Sequence, residues 1–160
     1  TDEILTALKA VGIKPKLLVT QGAGEKRSDY GPAGDNVVVV DLWSAKQKTP
    51  GLAEWVKKAE EKRGGEVVSS AVQGYVAMQT LMDAAKAAGS WDKSKILSNL
   101  SSMTFDTPYG KVSYTPSEMG GKHQLITEKS MIAVQYKSDG GQEVVWPPEK
   151  ATGQITYPAH

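Results

Sequence analysis

The run VVVVDLW, residues 37–43, constrains the fold more than any other stretch of the sequence. Its β-branched residues do not alternate with polar ones, a pattern typical of a strand covered on both faces in a parallel sheet. A helix is predicted next, with Thr49 as its N-cap, Pro50 as its first residue and Gly64 and Gly65 at its end. Because strands of a parallel sheet are joined by such helices, the sequence predicts an α/β layer fold.

Two further elements precede this run. The opening TDEILTALKAVG carries apolar residues at helical spacing, and Gly12 stands where a C-terminal cap is expected. Residues 16–20, KLLVT, form a short apolar run that predicts a buried strand, followed by a polar loop that begins QGAG. The chain enters directly on a helical pattern without an initiator methionine, so we expect it to be cut from a longer protein.

Two amphipathic helices follow. Ser70 and Gln73 have the spacing of a capping box at the start of the first, Gly89 ends it, and Asp92 caps the second. Each helix has an apolar face that is predicted to pack on a separate body of the protein. These faces consist of Tyr75, Met78, Met82 and Ala85 on the first helix and Ile96, Leu97 and Leu100 on the second.

The stretch SMTFDTPYGKVSYTP is predicted to pass from the end of a helix, through a sharp corner, into a strand. Pro108 suits the second position of a type I turn and Gly110 its last position, and residues 111–114 then alternate between polar and apolar. Residues 131–146 predict a β-hairpin that turns at SDGG. The prolines that follow predict an extended tail, because proline cannot sit inside a sheet.

Charge and composition exclude several classes of protein. Nineteen basic and eighteen acidic residues leave a net charge of +1, and the lysines are scattered, so nucleic acid is not an expected partner. The chain has no cysteine, which excludes disulfide scaffolds and thiolate metal sites. No apolar run approaches the ~18 residues of a membrane span.

The motifs for cofactors and catalysis are missing as well. Gly22 and Gly24 begin a glycine-rich loop, but the third glycine of a dinucleotide fingerprint would fall at Arg27. His123 lies in a glycine-flanked loop and His160 ends the chain, so they do not form a metal-binding pair at helical spacing. No nucleophile and base, and no paired carboxylates, can be assembled. The sequence therefore predicts neither an enzyme nor a cofactor or metal site.

The segment GYVAMQTLMDAAKAAGSWDKSKILSNL, followed by FDTPYGKVSY, KHQ, AVQY, DGG and VWPPEKA, resembles the C-terminal half of a type I periplasmic substrate-binding protein. The similar group is the branched-chain amino acid type that feeds ABC importers, and LKAVGIKPKLLVTQGAG resembles its helix, strand and ligand-loop unit. The resemblance implies an incomplete three-layer, parallel-sheet lobe of a bilobal fold, with hinge strands and a C-terminal hairpin. It implies that residues 1–68 belong to the second lobe, that helices in 69–103 return to the first, and that 104–160 hold a hinge strand, the hairpin and the tail.

The implied function is capture of a small organic solute between two lobes and its presentation to an ABC permease in the membrane. Such a protein would be periplasmic or otherwise extracytoplasmic, with a signal peptide in its precursor and a lipid anchor if the source is Gram-positive. Two alternatives stay open: a ligand-sensing regulatory module of the same fold, and a swapped homodimer formed by the fragment.

The expected ligand-binding residues are Thr20, Gln21, Gly22, Trp43 and Ser70. Ligands of open parallel sheets bind beyond the carboxyl ends of the strands, where the first four lie, and Ser70 matches a family position at the cleft entrance. In amino acid binders the position of Gln21 is often a carboxylate that pairs with the ligand's ammonium. Here it is neutral, which argues against a zwitterionic amino acid and leaves amides, urea-like solutes and aromatic or aliphatic acids open. Lobe packing is the alternative role of Trp43, and N-capping that of Ser70.

Overall fold

A computed structural model describes residues 2–13, 16–17, 19–21, 28–30, 34–115, 124–125 and 131–157. The helices in these parts are α1 (Asp2–Ala10), α2 (Leu52–Arg63), α3 (Ser69–Ala88) and α4 (Lys93–Ser102). The strands are β1 (Val19–Gln21), β2 (Val38–Asp41), β3 (Thr104–Thr107), β4 (Gly110–Thr115), β5 (Gln124–Leu125), β6 (Ile132–Tyr136) and β7 (Gln142–Trp146). None of the described helices is long and apolar enough to cross a membrane.

The larger sheet has the strand order β1-β2-β6-β7. The run of valines forms β2, and Val38 and Val39, which point to opposite faces, are both buried, so the predicted cover on both faces is confirmed. The sheet is mixed rather than parallel, because β1 runs parallel to β2 whereas β6 and β7 are antiparallel to their neighbours. The α/β class is confirmed.

The prediction of a buried strand over residues 16–20 is wrong. The strand is Val19–Gln21, which pairs with β2 at the end of the described sheet, and the side chain of Val19 is half exposed. An apolar run by itself does not show whether a strand has neighbours on one side or on two.

The predicted start of α2 at Thr49 and Pro50 is also wrong. The amide of Leu52 donates to the carbonyl of Thr49 at 3.1 Å, and Gly51 has φ 75° and ψ −4°. These values are those of a type II turn with Pro50 and Gly51 at its centre, so the helix begins only after the turn. Its end at Gly64 is confirmed, with φ 73° and an amide that donates to Glu60.

The start of α3 differs from the prediction by one residue. The N-cap is Val68, Ser69 is the first helical residue, and the predicted capping box of Ser70 and Gln73 does not form. The side-chain Nε2 of Gln73 instead donates to Ser69 Oγ at 3.3 Å. The predicted cap of α4 is confirmed, because Asp92 Oδ1 accepts from the amide of Lys95 at 2.9 Å.

The predicted corner is confirmed as the turn of the β3–β4 hairpin. Thr107 Oγ1 accepts from the amide of Tyr109 at 3.2 Å and donates to the carbonyl of Gly110 at 2.8 Å, and Gly110 has φ 93°. The stretch before the corner contains strand β3, which was not predicted. Its four residues alternate between exposed and buried, a pattern too short to identify from the sequence.

The predicted hairpin of β6 and β7 is confirmed. The tail is not simply extended, since the amide of Lys150 donates to the carbonyl of Pro147 at 3.0 Å and closes a turn. The chain then returns along β7, where the amide of Thr152 donates to Val144 at 2.8 Å.

The extensive contacts between described elements fall into two groups. The sheet unit contains β1, β2, β6, β7 and the tail, and its buried side chains include Tyr30, Val37, Val39, Ile132, Val134, Tyr136 and Val144. The helical unit contains α2, α3, α4, β3, β4 and β5. Its core consists of Trp43, Leu52, Val67, Val72, Val76, Ala84, Ala85, Ile96, Phe105, Tyr109 and Val112.

Candidate functional site

The carboxyl ends of β1 and β2 lie at one edge of the sheet unit. Thr20 pairs with Val39 and Gln21 with Val40, so the backbone places both predicted ligand-binding residues beside the end of β2. Gly22 lies outside the described residues, as do His123 and His160. The ligand-binding roles of Thr20, Gln21 and Gly22 stay predictions.

The chain leaves the sheet unit directly after β2, and Trp43 enters the core of the helical unit. Its side chain is 6% exposed, with its ring centroid 5.8 Å from that of Trp55 and 6.5 Å from that of Tyr109. The indole Nε1 donates to the carbonyl of Val67 at 3.3 Å. These contacts favour the packing role for Trp43, and a contact with solute stays a prediction.

Sequence reasoning missed Asp41, the last residue of β2. Its Oδ1 accepts from the amide of Leu42 at 2.6 Å and from Ser69 Oγ at 2.7 Å. Ser69 is 5% exposed and lies 28 residues further along the chain. An acidic residue at the carboxyl end of a buried strand was the available signal, but its partner could be found only from the tertiary structure.

Ser70 lies in the first turn of α3 with an exposed side chain. The N-cap role is excluded, because Val68 occupies that position. A contact of Ser70 with solute at the cleft entrance stays a prediction.

A polar cavity of about 10 Å³ lies between the two units. Asp41, Glu66, Gln142 and Tyr136 are its polar lining residues, and Val39, Trp43, Val67 and Val134 complete its wall. This volume holds one water molecule. A small solute needs a site of about 300 Å³ or more, so the two units would have to separate for a solute to enter here.

The buried phenols of Tyr109 and Tyr136 lie near the carboxylate of Asp41. Burial raises the pKa of Tyr109, and the charge of Asp41 raises it further. Burial also raises the pKa of Tyr136, with smaller effects from Tyr30 and Asp41. Both phenols are therefore neutral at physiological pH. Within the described part of the chain, no group of His, Asp and Glu residues is placed to hold a metal ion.

Helix α3 has two different faces. Val72, Val76, Thr80 and Ala84 are buried against the helical unit. Most of the predicted apolar face is exposed instead: Tyr75, Met78 and Met82 are 45%, 57% and 48% exposed, whereas Ala85 is buried. On α4, Ile96 is buried and Leu100 packs on the same core, so only Leu97 of the predicted face is exposed.

The comparisons with known proteins agree with one another. The family model for periplasmic binding proteins matches residues 1–142. None of the curated proteins matches the chain in sequence. Among solved structures, a leucine-binding protein of Thermotoga maritima is similar with a TM-score of 0.72 and 21% identity over 92% of this chain and 42% of that protein.

Two further structures are similar over less than half of their own length. An amino acid ABC transporter substrate-binding protein of Pseudomonas fluorescens has a TM-score of 0.71 and 21% identity over 98% of this chain and 42% of its own. An ABC transporter solute-binding protein of R. palustris, solved with benzoate, has a TM-score of 0.60 and 20% identity over 81% of this chain and 33% of its own. The chain thus spans about two fifths of the length of the first of these proteins. Its fold is part of the bilobal periplasmic-binding fold, and the chain belongs to the periplasmic binding protein family.

Proposed function

We propose that the complete protein is the solute-binding component of an ABC importer, which captures a small organic solute between two lobes and presents it to a membrane permease. The observation that carries the proposal is the crossing at Leu42, where the chain passes from one packing unit to the other at the carboxyl edge of β1 and β2. Ligands of open α/β sheets bind at this edge. The similar structures named above are binding proteins of ABC transporters or amino acid binders.

An amino acid, an amide or a small carboxylate is the proposed class of solute. Leucine and benzoate, named for two of the similar structures, both carry a carboxylate beside an apolar group. The amide of Gln21 can donate to a carboxylate and accept from an ammonium, so it suits each of these solutes without requiring a positive charge. Thr20, Gly22, Trp43 and Ser70 complete the proposed set of contacts.

The comparisons do not favour the sensing module or the swapped homodimer, because the similar proteins are transporter binding proteins. Members of the family bind solutes rather than transform them, in agreement with the prediction that the chain is not an enzyme. Family membership also implies an extracytoplasmic location. A signal peptide and a lipid anchor remain proposals about the complete protein.

The function is tested by a thermal-shift screen of the complete protein against amino acids, amides and aromatic acids. A solute at 100 times its Kd should stabilise the protein by about 2.7 kcal/mol. Gln21→Ala should then weaken binding by about 1–3 kcal/mol, because a polar group of the bound solute loses its partner. The Tm of the solute-free protein should not fall.

Gln154→Ala is the matched control. The side chain of Gln154 is exposed, and Gln154 is far from Gln21 in the sequence. An unchanged Kd for Gln21→Ala would remove Gln21 from the site. Absence of any stabilising solute in the screen would contradict the proposed function itself.

We further propose that α3 and α4 belong to the first lobe, as the prediction for residues 69–103 states. The similar proteins are more than twice as long as this chain, and the exposed apolar face of α3 is available to pack on the additional part of such a fold. Leu52 of α2 shares a core with Val72 and Val76 of α3. This packing favours a lobe boundary near Trp43 over the predicted boundary at residue 68.

The isolated 160-residue chain should therefore self-associate and bind solute more weakly than the complete protein. Each exposed apolar side chain that becomes buried contributes about 1.5–3 kcal/mol, so Tyr75, Met78 and Met82 together favour association. Sedimentation velocity should show a dimer or larger species that Met78→Lys reduces and Ala87→Lys, on the same helix, does not. A monomer that binds solute as tightly as the complete protein would contradict the assignment of α3 to the first lobe.

A further inference from the structure

Polar contacts connect the sheet unit to the helical unit. Ser69 Oγ donates to Asp41 Oδ1 at 2.7 Å, Ser44 Oγ donates to Gln142 Oε1 at 3.3 Å, and Lys48 Nζ donates to the carbonyl of Ala151 at 2.6 Å. The core clusters themselves are separate, with Trp43 in the helical unit and Val39 in the sheet unit. Such a boundary can open without exposing a shared hydrophobic core.

We propose that Asp41 and Ser69 are positioning residues that hold the two units in one mutual arrangement and thereby set how readily they separate and close on a solute. The contact between the units follows from the distances above, and its effect on solute rests on the proposed function.

Asp41 and Ser69 form the strongest of these contacts. The carboxylate makes the hydrogen bond charge-assisted, and such bonds are roughly twice as strong as neutral ones. The bond that Lys48 donates is charge-assisted too, but Lys48 is exposed whereas Ser69 is buried. The bond between Ser44 and Gln142 is longer, at 3.3 Å.

The position of this bond couples it to movement of the units. Asp41 Oδ1 accepts from Ser69 and also from the amide of Leu42, the residue at which the chain crosses between the units. A hydrogen bond weakens steeply when its angle or distance departs from the favoured range. Rotation of one unit about Leu42 would misalign the hydrogen bond between Ser69 and Asp41. A contact that is present in one arrangement and lost in others stabilises the first, so this bond favours the present arrangement.

The backbone hydrogen bonds at the start of α3 do not involve the Ser69 hydroxyl, whose contact within the helix is with Nε2 of the exposed Gln73. The N-cap is Val68, and the first turn is closed by the amide of Val72, which donates to the carbonyl of Val68 at 3.2 Å. Alanine also has the highest helix propensity. The change Ser69→Ala should therefore remove the contact between the units and leave the helix intact.

The absence of cysteine permits a direct measurement. Lys57→Cys on α2 and Ser138→Cys in the β6–β7 turn, both exposed, place spin labels on the two units. Pulsed electron spin resonance on this chain without solute, with the labelled protein diluted in excess unlabelled protein so that only distances within one chain are measured, should show one main distance population. With Ser69→Ala, the ratio of other populations to the main one should rise about tenfold to a hundredfold, the range for loss of a hydrogen bond to a charged group.

Ser102→Ala is the matched control, because Ser102 is an exposed serine of α4 whose hydroxyl donates within its own helix. Asp41→Asn, which keeps an acceptor oxygen but loses the charge, should give an intermediate distribution. An unchanged distribution for Ser69→Ala would overturn the proposal. If Ser69→Ala failed to fold, Asp41→Asn alone would decide it, and an unchanged distribution for that variant would overturn it too.

The predicted effect on solute binding is measured separately. In the complete protein, Ser69→Ala should change the Kd for the solute found in the screen by a factor matching the population shift, although Ser69 does not touch solute. A shifted distribution with an unchanged Kd would overturn the coupling to binding. A screen that finds no solute contradicts the proposed function and leaves the distance measurement valid.

Discussion

Replacing Trp43 with alanine should lower the free energy of unfolding by about 3–5 kcal/mol. The side chain is 6% exposed and packs against Trp55 and Tyr109 in the core of the helical unit. Truncation would remove these ring contacts, leave a cavity, and deprive the carbonyl of Val67 of its indole donor. Denaturation with urea, followed by circular dichroism, measures the change.

Trp91→Ala is the control for this substitution. Trp91 is 73% exposed, so its removal should change the free energy of unfolding by no more than about 0.5 kcal/mol. A similar small effect for Trp43→Ala would contradict the packing role. If Trp43→Ala weakened solute binding in the complete protein and left its stability unchanged, Trp43 would be a ligand contact instead.

Gln135→Ala should destabilise the protein by about 2–4 kcal/mol and release the tail, since several groups lose their partners together. Gln135 is fully buried in β6, and its Nε2 donates to the carbonyls of Asn36 and Thr156 at 2.8 and 2.9 Å. Its Oε1 accepts from the amide of Thr156 at 2.8 Å and from Lys137 Nζ at 3.2 Å. The Gln135 side chain thus binds both Thr156 in the tail and Asn36 just before β2.

Two measurements test this role of Gln135. Urea denaturation gives the loss of stability, and limited digestion with trypsin should cleave after Lys150 faster once the tail is released. Gln154→Ala is the control in the same segment, because its side chain is exposed and only its backbone carbonyl accepts from Lys137. Equal cleavage rates for wild type and Gln135→Ala would show that other contacts hold the tail.

A small polar cavity lies at the boundary between the two packing units. It has room for a single water, and Asp41, which lines this cavity, accepts a hydrogen bond from Ser69 at the crossing. A solute therefore needs a cleft that opens elsewhere along the same boundary or is completed by residues beyond this chain. The exposed face of α3 provides a surface on which such a completing part can pack.

Features that depend on a few neighbouring residues were predictable from the sequence. The turn at Pro108 and Gly110, the cap of Asp92 and the helix end at Gly64 were predicted correctly, because each is set by dihedral preferences and hydrogen bonds within about one turn of chain. The covered strand β2 was predictable too, since its unbroken valines are costly to expose on either face. The position of Gln21 at the carboxyl end of a strand also followed from the direction of the chain alone.

Features that depend on distant partners were decided only by the tertiary structure. Strand β6, from the far end of the sequence, pairs with β2 and makes the sheet mixed, and β1 lies at the end of the described sheet. Sequence spacing favoured Ser70, but the helix turns Ser69 toward Asp41, 28 residues away, and leaves Ser70 exposed. The physical reason is that propensities and spacing act over a few residues, whereas strand order, burial and the Asp41–Ser69 contact depend on which distant segments pack together.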